Sequence, residues 1–202
     1  MNKEQLKSKK LLDDAKKYVN KMLLPLWEYY YHSYDHALDV MSKAMELARE
    51  EWLDEKDIEM LWLAGLFHDT GFVIQYDKNE PIGAKIAQNY LRSMLYSPER
   101  IDKIEQLILA TSPDYKDPKD IYEEIIKDAD LDNLSREDFF KKNNDIKKEL
   151  EIVKKIKIKD PEWIHASAEL LREHKFKTWA EAAEKNKRLK DNLKKIEKLD
   201  KE

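Results

Sequence analysis

Leu61-Trp62-Leu63-Ala64-Gly65-Leu66-Phe67-His68-Asp69-Thr70-Gly71 is the stretch whose reading decides the fold. It continues a pattern begun after Asp54, in which Ile58, Leu61, Gly65 and His68 recur at three- and four-residue intervals, the period of a helix that buries one face. Gly71 stands just beyond as a natural stop. The last inward turn of this helix is therefore predicted to carry an imidazole beside a carboxylate. Asp69, next to so much apolar chain, would be a costly buried charge unless a cation or hydrogen bonds compensated it.

The same period runs outward in both directions. Toward the N-terminus, Leu11, Ala15, Tyr18 and Met22 mark a helix that stops near Pro25. A second helix is predicted from about Ser33, with Ser33 and Asp35 as caps and His36, Val40, Ala44 and Leu47 on one face. Toward the C-terminus, a polar loop from Gln75 to Glu80 ends at Pro81, which suits the first turn of a helix reaching about Tyr96. The next helix follows Ser97-Pro98 and runs through Ile101, Ile104 and Ile108 to Thr111. Pro113 and Pro118 bracket a loop, and a helix from Ile121 carries Ile125, Ile126 and Ala129 to Asp130. Long charged helices are expected beyond: Arg136 to about Lys157, Pro161 to His174, and Trp179 to about Leu199. With three glycines, six prolines and almost no strand signal, the expected class is an all-α helical bundle with additional C-terminal helices.

At 202 residues the chain is long enough for one well-buried core, and no Pro/Gly/Ser-rich linker divides it. One domain over 1–202 is expected, with a motif core of about 26–135 and C-terminal helices of about 136–200. Charged residues are 40% of the chain, but a net charge of −4 leaves no basic field for nucleic acid. The absence of cysteine removes thiolate ligands and nucleophiles together, so a bound metal must be held by histidine and carboxylate. No apolar run of signal-peptide length follows Met1, and no uncharged stretch approaches a membrane span, so a soluble cytoplasmic protein with no membrane partner is expected.

Four groups with metal-ligand chemistry fall at helix ends: His36, the pair His68-Asp69, and Asp130, with Asp128 a close competitor for the last place. Separate helices can converge their tips on one point, as metal sites in bundles do. A mixed nitrogen and oxygen set suits a divalent ion that polarises phosphate and activates water, and it accepts several first-row ions. His32 lies four residues before His36, one helical turn away, and a histidine near its ordinary pKa of about 6.5 is suited to proton transfer. Lys127, Lys85 and Arg92 are candidate phosphate binders that no spacing singles out. The run Trp27-Glu28-Tyr29-Tyr30-Tyr31 reads as packing or as a base-stacking wall, and His165, His174, Trp163 and Trp179 read as structural or surface residues.

Three segments resemble the HD superfamily of metal-dependent phosphohydrolases: Tyr31-His32-Ser33-Tyr34-Asp35-His36-Ala37-Leu38-Asp39-Val40, Ala64 to Gly71, and Lys127-Asp128-Ala129-Asp130-Leu131-Asp132-Asn133. The first looks like the signature of class I cyclic-nucleotide phosphodiesterases and of a group of bacterial HD proteins. The likeness to that bacterial group continues through Ser135 to Phe139, Trp163 and Glu173 to Phe176. The resemblance implies that His36, His68, Asp69 and Asp130 bind the catalytic metal, with the Ala-Asp-Leu-x-Asn context favouring Asp130 over Asp128. It also implies that His32 protonates the leaving oxygen while a metal-activated water attacks phosphorus.

Two-metal HD enzymes often place further histidines between the His-Asp pair and the last Asp, and this chain has none there. A second ion would need Asp69 as a bridge together with water, or Glu80; Asn79-Glu80 stands where the related proteins tend to show His-Glu. Glu80 then reads as a water- or substrate-orienting group or as an ordinary helix-start glutamate. The implied cofactor is a divalent ion (Mn, Mg, Fe, Zn, Ni or Co), and the implied partner is a small-molecule phosphoester, in the first place a nucleotide. A nucleotide monophosphatase and a non-catalytic metal- or nucleotide-binding sensor are the alternatives to a phosphodiesterase.

Overall fold

The computed structural model describes residues 3–179 and 181–199. Among them the chain forms α1 (Lys3–Leu23), α2 (Tyr34–Glu50), α3 (Glu55–Phe67), α4 (Glu80–Ser93), α5 (Pro98–Ala110), α6 (Ile121–Asp130), α7 (Phe139–Val153), α8 (Asp160–Glu173) and α9 (Ala182–Leu199), and no strand. The all-α expectation therefore holds. Two 3-10 turns, His68–Val73 and Asp132–Ser135, follow α3 and α6. Residues 1–2, 180 and 200–202 of the expected single domain lie outside the described residues.

Helix α3 is the hub. Nine of its residues, Ile58 and Met60 to Phe67, are buried, so neighbours must cover it on every side. Asp54 starts it by accepting the backbone N–H groups of Lys56 and Asp57 at 2.8 and 2.9 Å. Helices α1 to α6 pack a continuous core around it, including Ala15, Val19, Ala44, Leu47, Leu91, Ile104, Ile108, Ile125 and Ile126. A second cluster, Leu134, Phe139, Ala168, Leu171, Phe176, Leu189 and Ile196, joins the Asp132–Ser135 turn to α7, α8 and α9. Polar latches fasten that cluster beside α6. Asn192 Nδ2 donates to the carbonyls of Leu134 and Arg136 at 3.0 Å each, and the Lys185 ammonium pairs with Asp132.

Several boundaries and faces differ from the periodicity reading. The buried stripe of α1 is Leu11, Ala15, Val19 and Leu23, while Tyr18 is 38% exposed, because strict four-residue steps outrun the mixed pattern read from the sequence. Ser33 occupies the N-cap position of α2 without a side-chain capping bond. Helix α4 stops at Ser93 instead of Tyr96: Leu95 takes a left-handed φ of 54°, and Tyr96 N closes back on Leu91 O at 3.0 Å, a Schellman ending without glycine. Helices α7 and α9 are shorter than read, and Trp179, read as a structural or surface residue, lies before α9 and is 85% exposed.

The largest difference concerns the His-Asp pair. His68 and Asp69 begin a 3-10 turn and are not the last turn of α3. That tighter winding continues through Gly71, where an added Cβ would stand 1.9 Å from the Asn79 carbonyl oxygen and 2.9 Å from Gly83 N. Gly71 thus serves a close approach of the turn to α4 and does not end a helix. Gly71→Ala is expected to lower stability by roughly 1–3 kcal/mol, the scale of overpacking a tight interior, measurable as a reduced urea midpoint. A wild-type midpoint would show that the turn and α4 separate at no cost.

Candidate metal centre

Local structure brings the four helix-end groups together. His36 lies in the first turn of α2, the pair His68-Asp69 follows α3, and Asp130 is the last residue of α6. Gly65 allows α2 to approach α3, since a Cβ there would meet Met41 Cα and N at 3.0 Å. Asp120 fixes the start of α6 by accepting Glu123 N at 3.0 Å, ten residues before the ligand candidate.

At the meeting point, His68 Nε2 is 3.1 Å from Asp69 Oδ2 and 3.3 Å from Asp130 Oδ1. His36 Nε2 is 3.6 Å from Asp69 Oδ2 and 3.3 Å from Asp130 Oδ1. His36, His68 and Asp69 are buried, and His36 Nε2, His68 Nε2 and Asp69 Oδ2 are buried atoms without a hydrogen bond of acceptable geometry. Ion-pair distances without hydrogen-bond geometry mean that the lone pairs converge on a shared point between the groups. That suits a cation's ligand shell, and His36, His68 and Asp130 offer one donor atom each within 4.8 Å of one another. His68 Nδ1 is 2.8 Å from the Gly65 carbonyl, so it donates there and leaves the Nε2 lone pair to face the other donors.

Electrostatics carry the same demand. Burial opposes protonation of His68, but the carboxylates of Asp69 and Asp130 outweigh it and raise its pKa well above the ordinary value. Burial also opposes ionisation of Asp69 and Asp130, yet the His68 charge holds both below the usual carboxylate range. The pocket thus stabilises positive charge between two carboxylates, the place a divalent ion would take.

His32 is set beside this cluster, its ring centroid 6.0 Å from that of His36 and 4.4 Å from that of Phe72. Its Nδ1 pairs with a Glu149 carboxylate oxygen. Glu149, on α7, has a fully buried side chain and also accepts Tyr31 N at 2.8 Å, His32 N at 3.0 Å and Tyr76 Oη at 2.9 Å. Burial lowers the His32 pKa, but the Glu149 bond and the charges of Asp69 and Glu149 overcome it and raise it above the ordinary value. Sequence reasoning missed Glu149. It sits in the charged run Lys147-Lys148-Glu149-Leu150-Glu151, where nothing marks the glutamate as the buried residue and the leucine as half-buried.

The remaining candidates are placed as follows. Asp128 Oδ2 turns to the C-terminal segment, accepting Lys177 N and Thr178 N at 2.8 Å and Thr178 Oγ1 at 2.9 Å. Lys127 Nζ donates to the carbonyls of Ala110, Ser112 and Tyr115 at 3.3, 3.2 and 2.5 Å, which occupies its three protons in bracing the loop before α6. Glu80 opens α4 and is buried at 7% exposure, unlike an ordinary helix-start glutamate. Tyr31 packs its ring 4.4 Å from that of His36, whereas Trp27 is 77% exposed, so the aromatic run does not form one wall. His174 is half-buried with its ring edge-on to Phe176, and burial together with the Lys127 charge lowers its pKa to about 4.

A helical bundle with histidines and aspartates converging from helix ends has the donor set of a divalent-cation centre. The sequence model of the HD domain family matches residues 33–134, half of the chain, and the chain belongs to that family. HD domains are typically metal-dependent hydrolases, and His36, His68, Asp69 and Asp130 all fall inside the matched segment. His32 and Glu149 fall outside it. No curated protein and no solved structure matches the chain. No helix among the described residues is long and apolar enough to cross a membrane.

The Glu149 contact yields a pH prediction. Because the carboxylate raises the His32 pKa, Glu149→Gln should move the His32 titration midpoint downward, readable by NMR of the imidazole carbons. An unmoved midpoint would mean that the charge of Glu149 does not set the protonation of His32.

Proposed function

We propose that the protein is a phosphohydrolase whose divalent ion is held by His36, His68, Asp69 and Asp130, with His32 as the proton donor to the departing alcohol. The observation that carries the catalytic part is the pairing of His32 with buried Glu149 beside the converging donors. Bound in this set, a divalent ion supplies Lewis acidity, lowering the pKa of water and drawing charge from phosphoryl oxygens.

The chain's own groups do the rest. Glu149 engages Nδ1 of His32, which orients the ring and leaves Nε2 as the nitrogen that gives up a proton. The raised pKa keeps the imidazole protonated near neutral pH, the state a general acid needs, and a positioned donor of this kind contributes about 10²- to 10⁴-fold. Asp69 orients the attacking water as well as serving as ligand, and Glu80, buried at the start of α4, is assigned to the water or substrate on that side. Asp128 and Lys127 are assigned to support, through the bonds that hold the segments flanking Asp130.

Among phosphoesters, a nucleotide is the favoured substrate, on the resemblance of the Tyr31-to-Val40 segment to the phosphodiesterases. A sensor domain would need the ion but not a charged histidine-carboxylate pair, so that pair favours turnover. A monophosphatase uses the same groups, with His32 protonating the ester oxygen. Assay of metal-loaded protein on cyclic nucleotides, nucleoside mono- and triphosphates and dinucleotides, with manganese, magnesium, iron and zinc, tests the reading, and no turnover across that panel rejects it.

Three variants probe the roles. His68→Ala and Asp69→Ala should each cut the metal content of the purified protein, and full occupancy in both would remove the site. His32→Ala should keep metal but lose roughly 10²- to 10⁴-fold in turnover of an alkyl ester. A nitrophenyl ester, whose leaving group needs no proton, should recover most of that loss. Equal defects on both esters would reject proton donation.

A further inference from the structure

Glu149 is gripped on both carboxylate oxygens. Oε2 accepts the backbone N–H groups of Tyr31 and His32 at 2.8 and 3.0 Å, while Oε1 takes both His32 Nδ1 and the Tyr76 hydroxyl, the latter at 2.9 Å. A carboxylate has about four lone-pair sites, so these donors fill it. Among the described residues, every one of those donors except Tyr76 belongs to Tyr31 or His32. Tyr76 comes from elsewhere, three residues past the 3-10 turn that carries His68 and Asp69. Its hydroxyl therefore ties the His32–Glu149 pair to the segment leaving the turn of the metal donors.

That segment is braced to hold the hydroxyl in place. Gln75 Nε2 donates to the carbonyls of Asp77 and Lys78 at 2.7 and 3.1 Å, which closes the loop on itself. Lys154, at the end of α7, pairs with Asp77, and its Nζ stands 5.2 Å from the centroid of the Tyr76 ring. The helix that carries Glu149 thus grips the loop a second time. On the inner side, the Tyr76 ring centroid lies 5.1 Å from that of Phe72 and 5.7 Å from that of Tyr29, and Phe72 packs in turn on the His32 ring. Burial, and after it the Glu149 charge, push the Tyr76 pKa upward, so the phenol stays protonated and donates to Oε1. Ring packing alone would be met by phenylalanine; the bond to Glu149 is what the hydroxyl adds.

We infer that Tyr76 is a positioning residue for His32: its hydroxyl, fixed to the loop after the donor turn, sets the bearing of the Glu149 carboxylate and through it that of the imidazole. The consequence for turnover rests on the phosphohydrolase reading, in which His32 must meet the departing oxygen while the ion holds the phosphoryl group. Without the hydroxyl, Oε1 keeps only the imidazole, and the pair loses its tie to the turn that bears His68 and Asp69.

Tyr76→Phe keeps the ring and removes one oxygen. On metal-loaded protein it should lower kcat for an alkyl phosphoester by roughly 10-fold or more, the scale of a hydrogen bond to a charged group, with KM and metal content unchanged. The nitrophenyl ester, whose leaving group needs no proton, should keep its wild-type rate. Added to His32→Ala, the substitution should cost nothing further on the alkyl ester, because groups that act through one residue are not additive. Unchanged turnover, equal loss on both esters, or a full extra loss in the double variant would overturn the inference and leave Tyr76 to packing or to phosphate binding. If wild type turns over neither ester, or His32→Ala shows no difference between them, the proton-donor reading is what fails, and NMR of the zinc-loaded protein then judges Tyr76. Exchange of the His32 Nδ1 proton with water should be roughly 10-fold faster in Tyr76→Phe than in wild type, and an equal exchange rate overturns the positioning role.

Discussion

The carboxylates of Asp69 and Asp130, within 3.6 Å of the Nε2 atoms of His36 and His68, impose the constraint on which the rest of the structure depends. Two negative groups drawn from water this closely cost several kcal/mol each unless positive charge stands between them. The fold is built to meet that demand from three separate chain ends. Gly65 lets α2 close on α3, the 3-10 turn after Phe67 carries His68 and Asp69, and α6 ends where Asp130 completes the set.

Much of this was legible in the sequence. The buried face of α3, the start of α2 and the end of α6 followed from apolar spacing, capping residues and proline positions, which are local properties. What the sequence did not reveal depends on contacts distant along the chain. Glu149 lies 117 residues from His32, and Asp128 is claimed by Thr178, 50 residues on; no pattern near either residue encodes its partner. Leu95 ends α4 in a conformation that composition assigns to glycine, because the closing Tyr96-to-Leu91 bond outweighs its local preference.

Labour is divided between the segment that matches the HD family and the chain beyond it. The matched segment holds the four converging donors, while Glu149 and Lys142 come from residues past its end. Lys142 and Glu149 are seven residues apart, two turns of α7, so one face of that helix meets both Tyr31, whose ring centroid is 5.7 Å from Lys142 Nζ, and His32. Phe139, three residues before Lys142, is packed in the second core, and Asn192 and Lys185 of α9 tie that core to the turn after Asp130. The seating of α7 therefore depends on packing among the C-terminal helices. A shift of α7 would disturb the carboxylate behind His32 and the ammonium beside Tyr31 together, while leaving in place the convergence of His36, His68, Asp69 and Asp130, which α2, α6 and the turn after α3 set without it.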